Sequence, residues 1–95
     1  MTPLTDIERT PQFKRDYRRY VRKHYDVSLL AEAVDTIMRQ DTALLSTRYR
    51  DHALTGNWKG YRELHILGDW LLIYRIDRGT LTLVLTRTGS HDELF

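Results

Sequence analysis

From Tyr61 to Arg87 the chain runs through three short apolar stretches separated by glycine-bearing turns, and few architectures accommodate that pattern. The stretches Tyr61 to Ile66, Trp70 to Ile76 and Thr80 to Arg87 are rich in β-branched, aromatic and leucine residues and predict strands. Leu67-Gly68 and Asp77-Arg78-Gly79 supply the turns, so consecutive strands pair antiparallel as a meander. Trp70-Leu71-Leu72-Ile73-Tyr74 is apolar on both alternating faces, which suits a central strand covered on at least one side. Leu81, Leu83 and Leu85 alternate with threonine and valine. So small a sheet needs a covering layer, and the helical first half of the chain would pack on one of its faces.

That first half carries helical periodicity. Leu4 and Ile7 anchor a short first strand within residues 4–9. Thr10-Pro11 is a helix start, threonine as cap and proline in the first turn. Phe13, Tyr17, Tyr20, Val21 and His24 follow at helical spacing, with His24 read as the structural end of that stripe. Asp26 or Ser28 can cap a second helix whose apolar face is Leu30, Val34, Ile37 and Met38. So short a connection predicts an antiparallel helical hairpin. Residues 40–60 read as irregular, punctuated by Gly56 and Gly60. The predicted fold is α+β in the order β-α-α-β-β-β, a helix pair on a mainly antiparallel sheet, with a last helical turn at 90–95. Residues 1–95 form a single domain large enough for one core.

Composition narrows the chemistry. The absence of cysteine removes disulfides, thiol nucleophiles and thiolate metal sites. No apolar run approaches a membrane span and no secretory signal pattern opens the chain, so the expected location is the cytoplasm, without membrane contact. Net charge is only +2, but it is unevenly spread. Lys14, Arg15, Arg18, Arg19, Arg22 and Lys23 crowd the first helix against Asp16 alone. Such a helix suits an RNA backbone or an acidic protein segment, because arginine's planar fork grips phosphate and carboxylate alike. Basic helices in general are more often solvated faces, and here density argues for binding.

The residues able to move protons lie late in the chain. Cleaving RNA through its own 2′-hydroxyl needs a base for that hydroxyl, an acid for the leaving 5′-oxygen and positive charge on the phosphate. Histidine suits the proton roles and arginine the third. His52, His65 and His91 fall in separate segments; His65 and Asp69 flank one turn, and Arg87 ends the last strand. Each histidine alone reads as structural, while the set reads as a site. No His-x-His or His-x₃-His pair occurs, so spacing argues against zinc, and neither metal nor cofactor is expected. Trp58, Tyr61 and Trp70 read as core more readily than as stacking platforms. Phe95, at the last position, is either tucked inward or presented to a base.

Three ordered motifs carry a resemblance. They are His-x-Leu-x-Gly-x-Trp-x-Gly-Tyr-Arg-Glu-x-His at 52–65, Asp-Trp-x-Leu-Ile-Tyr at 69–74 and Arg-Thr-Gly-Ser-His-x-x-Leu-Phe at 87–95. Together they resemble the YafQ branch of the RelE/ParE toxin superfamily, the toxins of type II toxin–antitoxin pairs. The motifs cover roughly the C-terminal half, while the N-terminal half agrees in pattern only. The resemblance implies a RelE-like fold and a metal-independent endoribonuclease that cuts mRNA in the ribosomal A site, leaving a 2′,3′-cyclic phosphate and a 5′-hydroxyl. It puts His52, His65, Asp69, Arg87, His91 and Phe95 at the active-site positions. His91 would be the leading proton donor and Arg87 the phosphate clamp. His65 or His52, oriented or assisted by Asp69, would be base or transition-state stabiliser, and Phe95 would stack on a codon base. Gly68 stands where relatives often carry proline, and Asn57 where they carry a small residue; neither removes a proton carrier.

The resemblance also implies partners: ribosomal RNA, mRNA, and a ribbon-helix-helix antitoxin whose acidic segment meets the arginines of the first helix. Operator DNA would be bound only through that antitoxin. Two alternatives stand beside this reading. A ParE-like gyrase poison on the same fold needs none of the three histidines. An RNA- or protein-binding module would explain the basic helix but not the C-terminal grouping.

Overall fold

Thr10 opens the first helix as its sequence suggests. In the computed structural model, which describes residues 2–95, its Oγ1 accepts the Phe13 N–H at 3.0 Å and donates to the Thr86 carbonyl at 2.8 Å. The cap therefore also ties the helix to the sheet. Helix α1 runs Pro11–Arg22 and follows strand β1, Asp6–Arg9. His24 departs from the expected apolar stripe. It lies beyond α1 at φ 62°, exposed, its N–H bonded to the Val21 carbonyl, so it belongs to the left-handed turn that ends the helix. Asp26 rather than Ser28 caps helix α2, Val27–Met38, where Leu30, Ala33 and Ile37 are buried.

The region 40–60 is more ordered than expected. Asp41 caps a short helix α3, Thr42–Thr47, that buries Leu45; strand β2, His52–Ala53, and a 3-10 turn at Gly56–Trp58 follow. Elements of two to six residues are too short to display a period, which is why this segment read as irregular.

The meander forms as predicted, with shifted ends: β3 Arg62–Leu67, β4 Trp70–Asp77 and β5 Thr82–Gly89, closed by helix α4, His91–Leu94. Gly68 takes φ +56° in the β3–β4 turn, a conformation closed to proline. At the other turn Asp77 accepts the Gly79 N–H at 3.0 Å, and Leu81 turns left-handed at φ 52°, delaying the start of β5. The sheet order is β1-β5-β4-β3-β2, with β1 parallel to β5 and every other pair antiparallel.

The pleat sends alternate residues of β4 to opposite faces. Trp70, Leu72 and Tyr74 pack with Phe13, Tyr20, Leu30, Ala33 and Ile37 beneath the helices. Trp70 is core, as expected, and its Nε1 donates to Thr88 Oγ1 at 2.9 Å. Leu71 and Ile73 face the other way and pack with Leu94, Leu54, Trp58 and Tyr61. This second, thinner layer leaves one sheet face partly open. No helix among the described residues is long and apolar enough to cross a membrane.

Candidate active site

Strand register gathers the predicted site residues on that open face. His52 lies opposite Glu63, Glu63 opposite Ile73, and Ile73 opposite Arg87, so the four form one row across β2, β3, β4 and β5. His65, Leu71 and Gly89 form the next row. Residues two apart on a strand share a face, so Glu63 with His65, and Ile73 with Leu71, point the same way. One strand separates Glu63 from Arg87, about 10 Å between their backbones. A bulge between Ile73 and Tyr74, opposite Thr86, makes this register; without it Arg87 would continue the inward alternation of Leu83 and Leu85.

Glu63 is the residue the sequence reading missed. It is buried, and its Oε1 lies 3.6 Å from His52 Nε2 and 3.7 Å from His65 Nε2. These separations suit ion pairing with a charged imidazole and exceed hydrogen-bond reach. The signal was its place two residues before His65, on the same face of a strand. His52 Nδ1 donates to the Arg50 carbonyl at 3.0 Å, which leaves the Nε2 lone pair free in the neutral ring. His65 Nδ1 is buried without a partner. A bare lone pair costs less inside than a bare N–H, so hydrogen-bond accounting puts the neutral ring's proton on Nε2, facing Glu63. The two imidazoles thus present opposite capacities, an acceptor at His52 and a donor at His65.

Arg87 is held by a residue distant in sequence. Asp16 on α1 is fully buried; its Oδ2 accepts Arg87 Nε at 2.9 Å and its Oδ1 accepts Nη2 at 3.0 Å. Those bonds raise the guanidinium pKa further above its ordinary value, so the charge is permanent.

Helix α4 brings the remaining residues. Its Ser90–Glu93 capping box is complete, and Leu94 anchors it on Leu71 and Ile73. A Cβ at Gly89 would approach Glu93 Oε1 to 3.0 Å and Leu94 Cδ2 to 3.3 Å, so a larger residue here would push on the two side chains that seat α4. Glu93 also accepts from Tyr20 Oη at 2.8 Å and Arg19 Nη1 at 3.2 Å. His91 and Phe95 are exposed, with ring centres 5.0 Å apart, and Phe95 stands edge-on to Trp58 at 6.1 Å. Phe95 is therefore presented rather than buried. Asp69 does not orient His65 or His52 as expected: its Oδ1 accepts the backbone N–H of His91 at 3.2 Å and so tethers α4, while Glu63 stands between those imidazoles.

Of the basic residues on and just after α1, Lys14, Arg15, Arg18, Arg22 and Lys23 are exposed, whereas Arg19 is partly buried and, with Lys23, faces Glu93. Two cavities of about 320 and 430 Å³ lie elsewhere, one around Asp51, Arg62, Tyr74 and Arg78, the other between α1 and α2. The candidate site lies on the partly open face of the sheet. It offers a proton acceptor, donors, a fixed cation and an aromatic ring.

Comparison with known proteins identifies the family. Residues 5–95 match the family model described as the bacterial toxin of type II toxin–antitoxin systems, YafQ. The chain is 38% identical over 90 residues, 95% of each chain, to the mRNA interferase toxin YafQ of Escherichia coli K12. The metal-bound toxin from Helicobacter pylori superposes with a TM-score of 0.84 at 38% identity, covering 95% of this chain and 98% of that one. YafQ in the E. coli DinJ–YafQ complex superposes at 0.81 with 37% identity, covering 95% and 97%. With every strand of its sheet and helix α4 inside residues 5–95, the protein belongs to the YafQ family of type II toxin–antitoxin toxins.

Proposed function

We propose that this chain is an mRNA interferase that cuts ribosome-bound mRNA at A-site codons without a metal ion. The observation that carries the reading is the row His52–Glu63–Ile73–Arg87 with His65 and α4 beside it, a full set for 2′-hydroxyl attack on one sheet face. His52 Nε2 takes the 2′-hydroxyl proton, and Glu63 stabilises the imidazolium that forms. The oxygen attacks phosphorus and the bond to the 5′-oxygen breaks. His91 donates a proton to that oxygen, which leaves as a 5′-hydroxyl while a 2′,3′-cyclic phosphate remains. His65 Nε2–H and the free edge of Arg87 stabilise charge on the phosphate. Phe95, with Trp58 behind it, supplies a stacking surface for a codon base.

The partner is an antitoxin, as DinJ is for the E. coli protein. An acidic segment of it fits the exposed Lys14, Arg15, Arg18 and Arg22, and a ribbon-helix-helix part of it would bind operator DNA. Released toxin uses the same helix on ribosomal RNA in the cytoplasm. A ParE-like gyrase poison would leave the imidazole–carboxylate group without a purpose. The test is translation of a defined mRNA in vitro with wild-type protein and His91→Ala, cuts mapped by primer extension. Ribosome-dependent A-site cuts that slow about 10²- to 10⁴-fold in the variant are expected. Intact mRNA at growth-stopping concentrations of the wild type would overturn the reading.

One observation favours a second reading, in which the same cluster holds a divalent ion. His52, Glu63 and His65 each offer a donor atom, all within 4.8 Å of one another. The separations of 3.6 and 3.7 Å from Glu63 are near the roughly 3.4 Å between ligands of a tetrahedral zinc. The sequence argument against zinc counted spacing along the chain and overlooked cross-strand pairing and Glu63. A borderline ion such as zinc or copper suits these donors and would occupy His52 Nε2, the lone pair that cleavage needs. Metal analysis of purified protein and activity in chelator separate the readings: activity lost on chelation and restored by zinc would replace the metal-free mechanism.

A further inference from the structure

Asp16 is a fully buried carboxylate on a helix whose other charged residues are all basic, and the proposed chemistry does not employ it. Its setting follows from topology. Strand β1 pairs with β5 from Asp6–Thr82 as far as Arg9–Leu85, after which the chain leaves the sheet into α1. The last part of β5 is therefore an edge, and Asp16 Oδ2 accepts its Thr88 N–H at 3.2 Å. A neutral acceptor would serve that edge equally well. What the carboxylate adds is a second oxygen, and with both it grips Arg87 through Nε and Nη2.

We propose that Asp16 is a positioning residue for cleavage: it fixes the guanidinium of Arg87 by one edge so that the other edge meets the scissile phosphate. This rests on the nuclease reading above. A bidentate grip on Nε and one hydrogen of Nη2 leaves both hydrogens of Nη1 and the second of Nη2 free. Arg87's side chain keeps 22% of its surface exposed, so the unused edge is the reachable one. Arg87 stands in the same row as Glu63 and His52. A guanidinium locked in place spends no reorganisation energy as phosphate charge develops, whereas a free arginine must be ordered in the transition state. Asp16 also offsets the desolvation of a largely buried cation while leaving its other three donors free.

The experiment is single-turnover cleavage of mRNA on programmed ribosomes by wild type, Asp16→Asn, Arg87→Ala and the double variant. Asp16→Asn keeps an acceptor for Thr88 but loses the fork. The saturating rate is expected to fall about 10- to 100-fold with half-saturating ribosome concentration unchanged. Millimolar guanidinium should restore part of the Arg87→Ala rate, and none of the double variant's, because the carboxylate is what holds the added cation. An unchanged rate in folded Asp16→Asn, or equal rescue in both backgrounds, overturns the proposal. If Asp16→Asn does not fold, wild type labelled with ¹⁵N-arginine decides: Arg87 Nε–H should exchange slowly with solvent, and exchange as fast as that of exposed Arg18 overturns it. Wild type that cuts nothing on ribosomes fails the nuclease reading itself, and the positioning role falls with it.

Discussion

The Asp51 carboxylate receives Arg62 through Nε and Nη2, each at 2.7 Å, and the hydroxyl of Tyr74. Burial, and then the charge of Asp51, push the Tyr74 hydroxyl far above its ordinary pKa, so it remains a donor at any working pH. The network matters because Asp51 immediately precedes His52, on a strand of only two residues that cannot hold its own register. Tyr74→Phe is therefore expected to lower stability by about 1.5–3 kcal/mol in urea unfolding, the worth of a hydrogen bond to a charged group. It should also slow cleavage, since His52 loses its anchor. Wild-type values of both would show that Arg62 alone holds Asp51. At this scale the sequence was read unevenly. The three histidines and Arg87 were recognised as chemically able residues, whereas Glu63, Asp16 and Asp51 passed as ordinary acids, because an acid's importance depends on burial and partners that no linear pattern displays.

Among the elements, α4 carries two exposed site residues on a single helical turn, too short to persist unaided. Glu93 holds it: the Ser90 backbone N–H, followed by the Tyr20 hydroxyl, brings its pKa from 4.5 down to about 2. A pKa lowered by folding gives stability that is complete above the unfolded value and lost as pH falls through the folded one. Docking of α4 should thus hold down to pH 4.5 and weaken from there to about 2. Hydrogen exchange at the Phe95 amide, corrected for intrinsic pH dependence, measures this, and Glu93→Gln should abolish the dependence. An equal dependence in both proteins would assign it to other carboxylates. The long elements were legible, since α1, α2 and the three meander strands each show several repeats of a period. The elements α3 and β2 show none, and His24 was misread because it keeps the helical interval after Tyr20 although the helix stops two residues before it, at Arg22.

At the scale of the molecule, two layers of unequal thickness divide the labour. Helices α1 and α2 seal one sheet face, and only Leu94, Trp58, Tyr61 and Leu54 partly cover the other, leaving room for an extended substrate. The outer surface of α1 is basic and apart from the chemistry: Lys14, Arg15, Arg18 and Arg22 make no ion pair among the described residues. Replacing Arg15, Arg18 and Arg22 together by alanine should weaken ribosome binding and reduce the log–log salt slope by about two to three, since each phosphate contact contributes roughly 0.7–0.9. The cleavage rate at saturating ribosomes should stay at the wild-type level. An unaltered salt slope would leave these arginines to the antitoxin alone.

Local periodicity was enough to determine the helical hairpin, the antiparallel meander and the α+β class, because period and turn chemistry are properties of neighbours in the chain. The motifs of the C-terminal half were likewise sufficient to indicate the family. Only the tertiary structure decided which acid stands between His52 and His65, which carboxylate grips Arg87, and that Asp69 tethers α4. Each of those depends on strand register, on one bulge opposite Thr86, or on a contact spanning some seventy residues between α1 and β5. Such relations arise from the packing of distant segments, and no interval along the chain encodes them.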